Sequence, residues 1–148
     1  MPTVFTRIIA GELPGRFVWA DATAVAFATI APITDGHVLV VPRAEVVELT
    51  AAPDDLLTHL VLVAKRIGQA QQAAWHAPRA ALLVAGFEVE HLHLHVLPAW
   101  DERSLSFALA RPDVPAEQLD EAAERLRTAL RDAGHGAHVP ARLDSPAL

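Results

Sequence analysis

Apolar and polar positions along the chain follow two periods. Phe5 to Ala10 is a short helix-spaced run closed by Gly11, which predicts a brief helix with a C-terminal glycine. Arg16 to Ala20 and Ala24 to Thr29 read as two strands joined by a hairpin at Asp21-Ala22-Thr23. Thr34-Asp35-Gly36 marks a turn, and the β-branched, apolar run His37 to Val41 predicts a third strand that Pro42 ends. From Pro53 to about Ala74, Leu56, Leu60, Val63, Ala64, Ile67 and Ala70 recur at helical spacing. Asp54 and Asp55 stand in the first turn of that helix, where its dipole favours negative charge. Ala80 to Ala85 and Val89 to Leu97 predict two more strands about a tight turn at Gly86. Pro115 to Arg131 is a second long helix, with Leu119, Ala123, Leu126 and Leu130 on one face and Arg125, Arg127 and Arg131 placed in solvent. Residues 132–148, with their prolines and glycines, read as a loose tail behind a single domain spanning 1–131. The fold class is α+β: about five mostly antiparallel strands, one long helix and a C-terminal helix.

Composition removes several kinds of chemistry. The 148 residues include no Cys, which excludes disulfides, thiolate zinc sites and a thiol nucleophile. A net charge of −6 argues against an electrostatic footprint for duplex nucleic acid. The longest apolar run, Ala80 to Phe87, is far too short to cross a bilayer, and no basic segment precedes an apolar stretch at the N-terminus. These features lead us to expect a soluble, cytoplasmic chain without a membrane partner.

The informative segment is His91-Leu92-His93-Leu94-His95-Val96-Leu97-Pro98. In a strand, alternate side chains share a face, so three imidazoles line one side while Leu92, Leu94 and Val96 line the other. Neighbouring histidines then stand roughly 6.5–7 Å apart at Cα. Three uses fit such a face. Neutral imidazoles ligate Zn, Cu, Fe or Ni. An imidazole nitrogen attacks phosphorus while its neighbours bind the phosphoryl oxygens and assist the leaving group. The third use is anion binding with little turnover. His59 and His76 read as surface or capping residues, and His135 and His138 lie in the tail without further ligands.

Three more segments accompany this one in a fixed order. Phe5-Thr6-Arg7-Ile8-Ile9-Ala10-Gly11-Glu12-Leu13-Pro14, Val25 to Ile30 followed by Pro32, and Gly36-His37-Val38-Leu39-Val40-Val41-Pro42-Arg43 are spaced as one pattern over residues 5–98. With the alternating histidines, this pattern resembles the histidine-triad (HIT) family of nucleotide hydrolases and transferases, closest to its Hint-like branch. The resemblance implies a HIT-like fold and a homodimer. It also implies a purine nucleotide or nucleotide conjugate as substrate, with no cofactor and no metal. His93 would be the nucleophile that forms a covalent nucleotidyl-histidine, His95 would contact phosphate and leaving group, and His91 and His37 would orient and share protons. Phe5, Ile8, Phe27, Ile30 and Leu39 would line the nucleoside pocket, with Thr29, Glu88 and Val89 beside the nucleotide. The activity implied is cleavage of nucleoside 5′-phosphoramidates or similar conjugates. A metal-dependent hydrolase on the same histidines, or a nucleotide-binding module with little turnover, are the alternatives. The pattern also departs from the family. Thr29 stands where a ribose-gripping Asp is usual, Phe87 where Gln is, Glu88 where a small hydroxyl residue is, and Glu45 where a His follows the Pro-Arg step.

Overall fold

Helix α1 (Val4–Ile9) precedes strands β1 (Phe17–Ala20), β2 (Ala24–Ala28) and β3 (Val38–Pro42) in a computed structural model that describes residues 1–148. Helix α2 (Asp54–Trp75), strands β4 (Arg79–Leu83) and β5 (Leu94–Ala99) and helix α3 (Ala116–Leu130) follow. The β1–β2 hairpin forms because Asp21 can close it: its Oδ1 accepts the backbone N–H groups of Thr23 and Ala24, both at 2.8 Å. The five strands make one sheet in the order β1-β2-β3-β5-β4, with every neighbouring pair antiparallel. No helix is long and apolar enough to cross a membrane.

The alternation along the strands decides what each face of this sheet does. Ala24, Ala26, Val38, Val40, Leu94 and Val96 point to the side covered by α2 and α3, where they join Leu60, Val63, Ile67, Leu126 and Leu130 in the main core. Val25, Phe27, Leu39 and Val41 point the other way and form a smaller cluster with Phe5 of α1 and Phe17. A register shift between Phe17 and Trp19 lets Val18 and Trp19 both enter the helix-side core. Gly36 supplies the turn into β3 at φ 88°, and a Cβ there would meet the Trp75 ring at 2.6 Å.

The structure differs from the sequence expectations in three places. The last strand begins at Leu94, not Val89, and residues 84–93 form a long connection instead of a tight turn. The β3–β5 ladder pairs Val40 with Leu94, so two residues further it would set Leu92 against Pro42, which has no N–H to give. Leu92 N–H bonds instead to the Val46 carbonyl at 2.7 Å.

Arg127 is buried, not solvated, at 2% exposure. Its guanidinium donates to the carbonyls of Phe17 (2.7 Å) and Pro140 (2.8 Å) and pairs with Glu124 at 3.2 Å. The segment expected to be a loose tail is therefore held: Val139 is buried in the main core, and the Leu143 carbonyl accepts from Phe17 N–H at 2.7 Å.

Replacing Arg127 by Met leaves the Phe17 and Pro140 carbonyls without their donor. An unsatisfied buried acceptor costs about 1–3 kcal/mol, so we expect a loss of about 2–4 kcal/mol in urea unfolding. Arg127→Lys should recover only part of this, because one ammonium lacks the fork that reaches both carbonyls. Unchanged stability of Arg127→Met would contradict the clamp.

Candidate active site

His37, His93 and His95 come together on the face of the sheet opposite the two long helices. His37 sits at the entry to β3 and His95 lies in β5, on the ladder position opposite Leu39. Gln71 of α2 locks that pairing from behind: its Nε2 donates to the carbonyls of Gly36 (2.8 Å) and Val96 (2.9 Å), each beside one of the two histidines. Gln71 is fully buried on the apolar face of α2. Its helical spacing after Ala64 and Ile67 is the signal that could have marked it.

The hydrogen bonds fix which ring nitrogen carries hydrogen. The Nδ1 of His37 accepts the N–H of Ile33 at 3.1 Å, so the neutral ring is protonated on Nε2. That Nε2–H donates to His95 Nδ1 at 2.9 Å, which leaves the neutral His95 protonated on Nε2. His93 Nδ1–H donates to the carbonyl oxygen of His91 at 2.7 Å, so its Nε2 is a bare lone pair. His91 Nε2–H donates to the Pro42 carbonyl at 2.8 Å, and its Nδ1 accepts the Thr3 hydroxyl at 2.6 Å. The His93 and His95 rings stand 4.9 Å apart edge to face, one with a lone pair on Nε2 and the other with an N–H there.

Burial keeps the rings neutral. It lowers His37 to about 3, helped by the charge of His95, and lowers His95 to about 4, helped by His93. His93 is also lowered, chiefly by burial, and its bond to the His91 carbonyl partly offsets that. The exposed Glu88 carboxylate works in the same upward direction on His93.

The expected site residues are distributed as follows. Phe5 packs its edge against His93 at 4.9 Å and against His91 at 5.7 Å, and touches Phe27 at 5.6 Å. Leu39 belongs to the same apolar cluster, with Ile8 and Val89 packed onto it. Thr29 is half-buried just past the end of β2, its N–H donating to the His37 carbonyl at 3.3 Å and its Oγ1 accepting the Ala31 N–H at 3.2 Å. Ile30 is 73% exposed and stands outside the cluster.

Phe107 escaped the sequence reading because its segment has no period. It leans on His95 at 4.8 Å from the short turn Phe107–Leu109. Arg111 ties that segment to the loop before β3, through its N–H to the Pro32 carbonyl (3.0 Å) and an ion pair with Asp35 (2.8 Å).

The arrangement can offer a nucleophilic nitrogen, an adjacent donor and an apolar wall. His91 stands apart from that chemistry, because both of its ring nitrogens are engaged, one by the Thr3 hydroxyl and one by the Pro42 carbonyl.

Comparison with known proteins places this arrangement. Residues 10–102 match the HIT domain. An uncharacterised HIT-like protein of Mycobacterium tuberculosis is 39% identical over 113 residues, 73% of this chain and 78% of that protein. The adenosine 5′-monophosphoramidase of Saccharomyces cerevisiae is 31% identical over 102 residues, 68% of this chain and 65% of that enzyme. The crystal structure of a zinc-bound histidine triad family protein from Mycobacterium smegmatis superposes with a TM-score of 0.77 at 29% identity, covering 90% of this chain and 96% of that one. With its five antiparallel strands and its histidines set at the edge of an apolar cluster, the chain belongs to the HIT domain family.

Proposed function

We propose that the protein hydrolyses nucleoside 5′-phosphoramidates or similar nucleotide conjugates through a covalent nucleotidyl-histidine on His93. The observation that carries this reading is the hydrogen bond from His93 Nδ1 to the His91 carbonyl, which leaves a lone pair on Nε2 of a ring 4.9 Å from that of His95. His93 Nε2 attacks phosphorus, forming a P–N bond while the bond to the leaving amine breaks. The amine departs with that electron pair and a proton taken from solvent, which the water of the second step returns. His95 Nε2–H stabilises the phosphoryl oxygen and the leaving group as charge develops. Water then cleaves the P–N bond to His93, releasing the nucleoside monophosphate and restoring the ring.

Phe5, Phe27 and Leu39, with Ile8 and Val89, form the apolar wall for the base and ribose. Purine is the favoured base. This reading is supported by the monophosphoramidase activity in the name of the yeast relative and by the shared HIT domain.

The active unit is a homodimer. Its support is β4, which ends the sheet with one unpaired edge, and the groove beside it between β4 and α2. Val61 and Leu82 line that groove and are each more than 40% exposed. Light scattering should give twice the chain mass for the parent protein, and Leu82→Arg should give a monomer. A parent protein of single-chain mass would contradict the dimer.

His93→Ala should lose at least about a thousandfold in turnover of an adenosine phosphoramidate and still bind the monophosphate within about tenfold. Rapid acid quench with a phosphorus-labelled substrate should place the label on His93. Near-parental turnover by His93→Ala would overturn the reading.

The nucleophile must be unprotonated. Because the pKa of His93 is lowered, kcat/KM should hold as pH falls through about 6.5, the ordinary histidine value, and drop only below it. An acid limb above pH 7 would oppose this.

Thr29 offers a neutral hydroxyl where a carboxylate would grip the ribose, and one neutral hydrogen bond is worth about 0.5–1.5 kcal/mol. Ribo- over deoxyribonucleotide preference should therefore be about tenfold or less, and Thr29→Asp should raise it. A preference beyond about a hundredfold in the parent protein would assign the ribose contact to another group.

A further inference from the structure

Behind His91 lies a chain of hydrogen bonds that the proposed reaction does not use. The Thr3 hydroxyl meets His91 Nδ1 at 2.6 Å, and Thr3 Oγ1 stands 3.2 Å from Thr6 Oγ1 while accepting Thr6 N–H at 3.1 Å. The Thr6 hydroxyl donates to Glu45 Oε1 at 2.6 Å, and the same oxygen accepts Thr3 N–H at 3.1 Å. Thr3 and Thr6 stand at the start of α1, whereas Glu45 lies 42 and 39 residues further on, in the loop after β3. That loop is itself fastened to the histidine segment by Leu92 N–H to the Val46 carbonyl, and the end of β3 before it by His91 to the Pro42 carbonyl.

We infer that Glu45 is a positioning residue for the histidine cluster: through Thr6 and Thr3 it holds His91 Nδ1 as an acceptor and seats α1, with Phe5, against His93. Glu45 is the anchor because it is the one side chain here that only accepts, as the Pro42 carbonyl does at the far end. With the Thr6 hydrogen committed to Glu45, the Thr3 hydroxyl turns its own hydrogen to His91, the shorter of its two contacts. His91 then keeps its hydrogen on Nε2 for the Pro42 carbonyl, and its backbone stays where its carbonyl receives His93 Nδ1–H. The same anchor closes the first turn of α1, which carries Phe5 edge-on to both rings. The carboxyl itself sits below the usual carboxylate range, held there first by the Thr6 hydroxyl and then by Thr3 N–H.

This inference rests on the proposed role of His93, so its test has one readout that needs no turnover. Glu45 is exposed and contributes nothing to either apolar cluster, so Glu45→Ala and Glu45→Gln are expected to fold. Thr6→Val, which breaks the link while keeping Glu45, is the second variant. In the parent protein, the Phe5 ring shifts the carbon-bound protons of His93 through its ring current. In Glu45→Ala and Thr6→Val that shift should collapse while melting changes little. Turnover should fall about ten- to a hundredfold in kcat with KM within about twofold, the signature of a misplaced reacting group. Glu45→Gln keeps an acceptor oxygen and should retain more activity than Glu45→Ala. Unchanged imidazole shifts in Glu45→Ala and Thr6→Val would overturn the inference whether or not the parent protein turns over. Absence of turnover in the parent with these shifts lost in the variants would overturn the proposed reaction and leave the positioning role standing.

Discussion

One hydrogen bond, from His93 Nδ1 to the carbonyl oxygen of His91, decides which nitrogen of the central ring keeps a free lone pair. The rest of the site serves that bond or uses its result. In the resting ring it is a neutral contact, worth about 0.5–1.5 kcal/mol, but it becomes charge-assisted as His93 takes on positive charge, worth about 1.5–3 kcal/mol. The difference, about one kcal/mol, is realised only as reaction proceeds, which is the part of a binding interaction that accelerates chemistry. The carbonyl can serve in this way because His91 is pinned on both nitrogens and Leu92 N–H is bonded to the Val46 carbonyl.

The same burial that makes the core also keeps the site neutral. Leu92, Leu94 and Val96 anchor the segment in the helix-side core, which forces the alternate histidines against α1 and β3. Charging a buried imidazole is costly, so His37 falls to about 3 and His95 to about 4. Neutral rings can bond to one another in a defined order, as His37 does to His95. A cationic cluster could not, and the lone pair on His93 would be lost with it.

The two-residue period made the placement of the three histidines legible in the sequence, because alternation survives whether or not the backbone joins a regular ladder. The start of the last strand was not legible. It depends on the β3–β5 register, which if continued would bring Leu92 to Pro42, a meeting that only the folded sheet sets up. Gln71 and Arg127 lie where helical spacing puts core residues, but their polarity points outward on any hydropathy reading. They are buried because bare carbonyls at Gly36, Val96, Phe17 and Pro140 await donors there. Thr3 and Glu45 carry no sequence signal of their partnership, since the contact spans the whole β1–β3 region. Phe107 and the anchored C-terminal segment belong to irregular chain, where periodicity is silent.

The central claim is that His93 and His95 are opposite tautomers, one offering a lone pair and the other an N–H to the same pocket. Two-bond correlation of ring nitrogens with ring protons, on nitrogen-15-labelled protein at neutral pH, reads this directly. The account predicts an Nδ1–H pattern for His93 and an Nε2–H pattern for His95. An Nε2–H pattern for His93 would contradict it, because the nitrogen facing phosphorus would then have no lone pair to give.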